Sequence, residues 1–310
     1  MRSLSRHRSS PSRRFFRVRH GLVVLGLVLC ACLARRKDPR SSTPHHDGVA
    51  ERNSPAAPSA PPLRDREAPS LPEVESNQRI RSFEEAKRTL TRIYDAHRSD
   101  VYCGCAFFPE PGRGLRVDLP ACGYKVARDA ARASRIEWEH AVAASTFGHT
   151  FKEWTEGDER CVDARGKRFR GRRCAEHSPE FARMEGDMHN LFPAVGEVNA
   201  LRGDLPMGLV DPPDRPHPNQ TEGIVTFGAC RTRIENGTLL PRAEVRGDLA
   251  RAALYMDRAY PTRRILDEAH RALFLRWSAE DPPDAWENER NRRIAERQGN
   301  DNPFIAQAAR

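Results

Sequence analysis

Two short stretches of this chain carry side chains suited to hydrolysis. The first is Trp138-Glu139-His140, and the second covers residues 187–199 and reads DMHNLFPAVGEVN. A histidine near its titration point can take a proton from water, while carboxylate and carboxamide oxygens are hard donors that suit Mg²⁺. A histidine, a carboxylate and a carboxamide at one place therefore predict attack of an activated water on a phosphodiester.

The elements around these stretches are predicted from local patterns. Ile136 and Trp138 alternate with charged residues, which is typical of a strand. Pro193 suits the first turn of a helix, and that helix would carry Asn199. A histidine at a strand end that faces an asparagine on the next helix has the geometry of a one-metal nuclease.

Asn190 is a second candidate oxygen ligand by its spacing alone. We favour a different role for His189 and Asn190, in which both side chains stabilise a loop through hydrogen bonds.

The positive net charge of the chain favours binding to an acidic partner. The chain has 310 residues and a formal net charge of +9, so nucleic acid is the first candidate, although a membrane surface would also attract it. The segment between Cys161 and Cys174 reads VDARGKRFRGRR. Such a loop can follow a phosphate backbone without reading bases, while a solvated loop is the alternative interpretation.

The start of the chain is typical of an export signal. Residues 1–20 are rich in arginine and precede an apolar run over 21–34 that is too short to span a bilayer stably. Residues 1–34 are therefore predicted to be a signal peptide or lipoprotein signal. In the lipoprotein case Cys32 carries the lipid anchor. Residues 35–79 are rich in Pro and Ser and predict a disordered linker, and 80–310 form the domain. We expect an exported protein, periplasmic or extracellular, that is either free or membrane-anchored.

Six cysteines follow the signal: Cys103, Cys105, Cys122, Cys161, Cys174 and Cys230. An even number behind an export signal favours disulfides. The pairs that are local in sequence are Cys105 with Cys122 and Cys161 with Cys174, but sequence alone does not select a connectivity. A zinc site on Cys103 and Cys105 is the alternative, although their one-residue gap is shorter than is typical of zinc sites.

Periodicity predicts a mixed α+β domain that is predominantly helical. Ser82-Phe83-Glu84-Glu85 has the form of a capping box before an amphipathic helix. Further helices are predicted over 244–260, 266–277 and 286–297, and a tight turn between short strands is predicted at 235–238.

Several ordered motifs resemble the bacterial endonuclease I family, which comprises secreted or periplasmic non-specific nucleases. The motifs lie within about 82–305 and read YCGC, ACGY, WEHAVAASTFGH, MEGDMHNLFPAVGEVNALRGD and WENERNRRIAERQGNDNPFI. The resemblance implies a ββα-metal (His-Me finger) core, one Mg²⁺ or another hard divalent cation, and DNA and RNA as substrates. It also implies products that end in 5′-phosphate and 3′-hydroxyl. We expect a monomer with no protein partner.

The resemblance also implies the roles of individual residues. His140 matches the general base, Glu139 and Asn199 match the metal ligands, and Glu185 matches a carboxylate needed near the site. The family uses an arginine close to the cleaved phosphate, but this chain carries a longer insert there. The candidates are Arg168, Arg170 and Arg172, of which we favour Arg172.

The chain departs from the family near its end. Family members usually have cysteines close to the positions that match Asn288 and Ala308, and this chain has neither. The pairing of Cys103 and Cys230 therefore stays open.

Two other functions stay open from the sequence alone. A non-catalytic, exported nucleic-acid-binding protein would need only the basic loop and would bind without cleavage. A structural zinc protein built on Cys103 and Cys105 would contain zinc and reactive thiols.

Overall fold

The computed structural model describes residues 74–209 and 223–308, all of which belong to one contact unit, Arg66–Arg310. The predicted signal at 1–34, with Cys32, and most of the predicted linker lie outside the described residues. Within them, no helix combines the length and the apolar character needed to cross a membrane.

The first described residues, 74–79, fall within the predicted linker but lie against the domain. Asn77 is buried and donates hydrogen bonds to the carbonyl oxygens of Ile80 (2.8 Å) and Arg183 (2.9 Å). Asn300 reaches the carbonyl of Glu75 over 2.7 Å. This segment is therefore held by residues from the middle of the domain and from near its end.

Helices and short strands alternate along the described chain. The helices are α1 (Phe83–Ile93), α2 (Ala130–Ala133), α3 (Ala144–Gly148), α4 (Lys152–Thr155), α5 (Arg172–Ala175), α6 (Pro179–Glu185), α7 (Gly196–Arg202), α8 (Arg246–Ala259), α9 (Glu268–Glu280), α10 (Ala285–Gln298) and α11 (Pro303–Ala308). The strands are β1 (Phe107–Glu110), β2 (Gly114–Val117), β3 (Ile136–His140), β4 (Leu191–Val195), β5 (Ile224–Phe227), β6 (Cys230–Glu235) and β7 (Thr238–Leu240). The predicted mixture of helix and sheet is confirmed.

The described strands form three small antiparallel sheets with the orders β1-β2, β3-β4 and β5-β6-β7. The predicted turn joins β6 to β7, where Asn236 and Gly237 both have positive φ (47° and 72°). Positive φ at both central residues, with the sequence Asn-Gly, is typical of a type I′ hairpin turn.

The predicted position of Pro193 in a first helical turn was wrong. Pro193 lies inside β4 opposite Trp138, and α7 begins three residues later at Gly196. In a two-stranded sheet each strand has one side without a partner, so a residue that lacks an N–H can face outward at no cost to the ladder.

The core is built around α8, which packs along α9. Leu249, Ala253 and Met256 on α8 are buried, as their spacing predicts, and Trp277 of α9 is 1% exposed. A second cluster joins α1 to α10 through Leu90 and other buried residues. The indole of Trp277 is therefore a core group.

Three disulfides link the six described cysteines in pairs: Cys103–Cys230, Cys105–Cys122 and Cys161–Cys174. The prediction of disulfides is confirmed. Both pairs that are local in sequence form, and Cys103 pairs with Cys230 although the chain lacks the family's later cysteines. Since Cys103 and Cys105 are both in disulfides, neither has a thiolate for zinc, and the zinc interpretation of these residues was wrong.

Candidate active site

The hairpin of β3 and β4, followed directly by α7, positions the central side chains. Glu139 and His140 lie at the end of β3 opposite Phe192 and Leu191. At the start of α7 only glycine fits, because a Cβ on Gly196 would lie 2.7 Å from the carbonyl oxygen of Arg132. The close approach brings the start of the helix against α2.

A cleft of about 770 Å³ opens beside this hairpin. Four of the five predicted site residues line it: Glu139, His140, Arg172 and Asn199. Glu185 lies behind it, at the end of α6. Segments that are far apart in sequence therefore supply one open, polar depression.

The backbone holds the imidazole of His140 in one tautomer. Its Nε2 lies 2.9 Å from the carbonyl oxygen of Glu185, and since a carbonyl only accepts, Nε2 carries the hydrogen. The ring packs on Phe83 with the centroids 4.9 Å apart. Burial, with Arg172 nearby, lowers the pKa of His140 to about 3. The neutral ring therefore keeps a lone pair on Nδ1 at neutral pH.

Glu139 is a buried carboxylate that is held from one side. Its Oε1 accepts hydrogen bonds from the Tyr102 hydroxyl (2.7 Å) and from Nη1 of Arg202 (3.0 Å). Burial raises the pKa of Glu139, and the Arg202 charge acts in the opposite direction. Oε2 makes no hydrogen bond to another residue of the described chain, so it is the oxygen available to a cation.

Asn199 is oriented by a neighbouring carboxylate. Its Nδ2 donates to Oε2 of Glu137 over 3.0 Å. Because a carboxylate only accepts, this contact assigns the amide nitrogen to Glu137 and leaves Oδ1 for another partner. Glu137 is itself clamped by ion pairs to Arg132 and Arg135.

Glu185 serves the site through two different groups. Its backbone carbonyl binds His140, while its side chain, 3% exposed, forms an ion pair with Nε of Arg172. Burial raises the pKa of Glu185, and Arg172 opposes that rise. The Arg172 guanidinium also lies 5.1 Å from the Phe83 ring centroid. The arginine is thus held at the rim of the cleft beside the histidine.

Arg172 differs in position from the other arginines proposed for the same role. Arg170 donates to the carbonyl of Thr155 over 3.2 Å, and neither it nor Arg168 lines the cleft. The Cys161–Cys174 disulfide closes the basic loop two residues after Arg172. The geometry therefore favours Arg172 over Arg168 and Arg170.

The alternative ligand Asn190 is occupied elsewhere. Its side chain accepts from the N–H of Val142 (2.7 Å) and donates to the carbonyl of Val142 (3.0 Å). His189 is fully buried and contacts the carbonyl of Asn300 over 3.0 Å. The predicted loop-stabilising roles of both residues are confirmed.

The donor set fits one hard cation with few protein ligands. Glu139 and Asn199 each present an oxygen at the same cleft, whereas the described residues contain no cluster of three or more His, Cys, Asp or Glu that could hold a metal. Mg²⁺ suits such a site because it keeps several waters and often takes only one or two protein oxygens plus substrate phosphate.

Sequence reasoning missed three residues that hold the candidate ligands Glu139 and Asn199: Tyr102, Glu137 and Arg202. Arg202 had a detectable signal, because it follows Asn199 by three positions on one helix and so shares its face. Glu137 had one too, since it lies two residues before Glu139 on a strand. Tyr102 begins the YCGC motif, but no spacing links it to Glu139, because the contact between them spans 37 residues.

Comparisons with known proteins identify the family of this chain. The family model described as Endonuclease I matches residues 83–309. An extracellular deoxyribonuclease of Aeromonas hydrophila is 41% identical over 229 residues, 73% of this chain and 88% of the relative. A periplasmic deoxyribonuclease of the same species is 41% identical over 74% of this chain and 86% of its own. Endonuclease-1 of Buchnera aphidicola subsp. Acyrthosiphon pisum is 31% identical over 73% of this chain and 81% of its own.

Proposed function

This chain belongs to the endonuclease I family and is a nuclease, and from that premise we propose that it hydrolyses phosphodiester bonds of DNA, and also of RNA, with little sequence preference. We further propose that β3, β4 and α7 form its ββα-metal core. Relatives named as deoxyribonucleases support DNA as a substrate, and an extracellular ribonuclease of Bacillus subtilis, 30% identical over 38% of this chain, supports RNA.

His140 acts as the general base in this proposal. Its Nδ1 takes a proton from the attacking water while the Glu185 carbonyl keeps Nε2 protonated. The water oxygen bonds to phosphorus as the P–O3′ bond breaks, which leaves a 5′-phosphate and a 3′-hydroxyl. A positioned base contributes about 10²- to 10⁴-fold in rate.

Glu139 and Asn199 would hold a divalent cation, for which Mg²⁺ is our choice. When bound, such a cation neutralises charge on the phosphate and stabilises the leaving oxygen. Tyr102 and Arg202 keep Glu139 in place. Glu137 binds the amide nitrogen of Asn199, which leaves Oδ1 of Asn199 for the cation.

Arg172 would bind the phosphate from the other side of the histidine. Its guanidinium is fixed by Glu185 but remains partly exposed, with 42% of the side chain accessible. A charged donor held at that rim suits a phosphate oxygen in the ground state and in the transition state.

The observation that carries the proposal is the Glu185 contact to His140. It leaves a neutral histidine with one acceptor nitrogen in a cleft that also presents two hard oxygens and an arginine. A non-catalytic nucleic-acid-binding protein would need the basic loop but not this tautomer-fixing contact.

We propose that the protein is exported and acts in the periplasm or outside the cell. The names of the Aeromonas relatives and the basic-then-apolar start of the chain support this location. Residues 1–34 would be the signal, 35–79 a linker and 80–310 the nuclease domain, with Cys32 as the lipid-bearing residue if the signal is of the lipoprotein type.

The test is incubation of the disulfide-bonded protein with supercoiled plasmid and with RNA, in Mg²⁺ or in EDTA. We expect cleavage of both substrates in Mg²⁺ and none in EDTA, with 5′-phosphate ends that ligate without further treatment. Salt-sensitive binding without cleavage in Mg²⁺ would instead support the non-catalytic alternative.

A further inference from the structure

Helix α1 separates the catalytic cleft from a second, basic groove. On the cleft side it contributes Phe83, Lys87 and Thr91, which are spaced four residues apart and so share one face. On its other side Thr89, Arg92 and Ile93 line a groove of about 350 Å³ against α10. Only the width of one helix therefore lies between the two depressions.

The groove is lined by four arginines and one carboxylate. They are Arg92, Arg292, Arg293, Arg297 and Glu296. The surplus of positive charge suits a polyanion rather than a neutral ligand.

Two of these arginines form a fixed wall. Arg293 pairs with Glu289 and donates to the carbonyl of Ile93 over 3.1 Å, while Arg292 pairs with Glu289 and Glu296. The contact from Arg293 to Ile93 ties α10 to the end of α1, while the ion pairs hold both arginines against α10 itself.

The other two arginines are not held by such contacts. Arg92 and Arg297 are exposed, and neither forms an ion pair or a side-chain hydrogen bond with another residue of the described chain. Each is near the last turn of its helix. Their guanidinium groups are available to bind an anion from solution.

The width of one helix is close to the separation of the two DNA backbones across a major groove. An α-helix with its side chains is about 10–12 Å across, and the grooves of B-form DNA separate its two backbones by about 6 Å and about 12 Å. A duplex with one strand in the cleft can therefore lie across the exposed ridge of α1, with its other backbone near the basic groove.

We propose that the groove between α1 and α10 binds phosphates of the uncleaved strand through Arg92 and Arg297. It is a second substrate-binding surface that engages double-stranded and not single-stranded nucleic acid. The inference rests on the proposed function, because it takes the cleft as the place of the cleaved strand. It adds a preference for duplex substrate that the active-site residues do not provide.

The test compares the double variant Arg92→Gln/Arg297→Gln with the control Arg258→Gln/Arg276→Gln. The control arginines are exposed, lie on α8 and α9, and line neither the cleft nor the groove. Both variants lose two positive charges and keep every active-site residue. Binding of a labelled duplex, and of one of its strands alone, is followed by fluorescence anisotropy in EDTA over a series of salt concentrations.

We expect the salt dependence of duplex binding, as log K against log salt, to become shallower by about 1.8 in the groove variant, since each lost phosphate contact contributes about 0.9. The slope for the single strand should stay unchanged, and the control variant should keep both wild-type slopes. Equal melting temperatures of the three proteins would show that the groove variant is folded, and a variant that melts early is replaced by Arg92→Lys/Arg297→Lys, which should restore the duplex slope.

An unchanged duplex slope, or the same decrease for duplex and single strand, would overturn the inference. So would groove-dependent binding to vesicles of anionic phospholipid with no change in duplex binding, because the groove would then serve a membrane surface. Failure of the proposed function has a different signature: the wild-type protein would cleave no plasmid in Mg²⁺.

Discussion

Arg202 donates from Nη1 both to Oε1 of Glu139, over 3.0 Å, and to the carbonyl oxygen of His140, over 2.8 Å. Its Nη2 binds the carbonyl of Ala141 over 2.9 Å. One buried guanidinium at the end of α7 thus holds the proposed metal ligand and the backbone of the proposed base in a fixed relation to each other.

Replacement of Arg202 by lysine should weaken cation binding and lower stability. Lysine keeps the charge but loses the planar array of donors, so at least one buried carbonyl is left without a partner, at a cost of about 1–3 kcal/mol. Calorimetric titration with Mg²⁺ and chemical denaturation measure the two effects. Arg258→Lys is the exposed control, and equal stability of the two variants would contradict the anchoring role of Arg202.

Replacement of Glu137 by alanine should lower the affinity for Mg²⁺ by about 10- to 100-fold, the range seen when groups that orient metal ligands are removed. The reason is that the Asn199 amide loses the acceptor that fixes its nitrogen. Calorimetric titration measures the affinity without any need for turnover. Glu235→Ala is the control, since Glu235 also pairs with an arginine but lies outside the cleft, and the proposal fails if the two variants bind Mg²⁺ equally well.

Replacement of His140 by alanine should reduce the cleavage rate by at least about 10²- to 10⁴-fold, the contribution of a positioned general base. Plasmid cleavage at saturating Mg²⁺ measures the rate, and the affinity for Mg²⁺ should change little because His140 is not a proposed ligand. His149→Ala, at an exposed position, is the control. Persistent cleavage by the His140 variant would remove its assignment as the base.

Loss of the Cys161–Cys174 disulfide should destabilise the protein and impair phosphate binding together. The bridge spans 13 residues, and closing a loop of about 15 residues is worth about 3 kcal/mol in the chain-entropy account. Cys161→Ser/Cys174→Ser should therefore melt earlier and show a raised KM for plasmid, because Arg172 lies inside the loop. A variant that melts early but keeps the wild-type KM would show that the bridge does not position Arg172.

Asp100 should make stability fall as the pH rises through the mildly acid range. It is 1% exposed and accepts hydrogen bonds from the N–H groups of Tyr102, Cys103 and Cys105. Burial nevertheless raises its pKa from 3.8 to about 6. Between those two values the folded protein holds a proton that the unfolded chain has released, so this group's stabilising contribution is full below pH 3.8 and is lost as the pH rises to about 6.

The size of this effect is about 3 kcal/mol, at 1.36 kcal/mol per pKa unit. Urea unfolding of the wild type and of Asp100→Asn between pH 4 and pH 8 isolates it, because other titrating groups cancel in the difference. The stability of the wild type relative to the variant should decrease with rising pH. A difference that stays flat or increases would show that the carboxyl titrates at its ordinary pKa.

The four long helices α1, α8, α9 and α10 and the strand β3 could be predicted from the sequence to within a few residues, whereas the short helices α2 to α6 and α11 were not predicted. Alternation around Trp138 predicts β3, and periodicity around Leu249 predicts α8, because each pattern records which side of an element meets the core. The position of Pro193 was predicted wrongly because proline is compatible with more than one local structure. Proline suits both a helix start and the open side of a strand, and only the pairing with Trp138 decides between them.

The residue types of the candidate site were also readable, because general-base and hard-ligand chemistry restrict the choice to a histidine, a carboxylate and a carboxamide in recurring motifs. The residues that hold these groups in place could not be predicted from the sequence. Tyr102, Glu137 and Arg202 act through contacts that join separate segments, and the pairing of Cys103 with Cys230 spans 127 residues. Such contacts depend on how the elements pack in three dimensions. The sequence by itself therefore determined which groups are available for chemistry, and the tertiary structure decided which atom of each group faces the cleft.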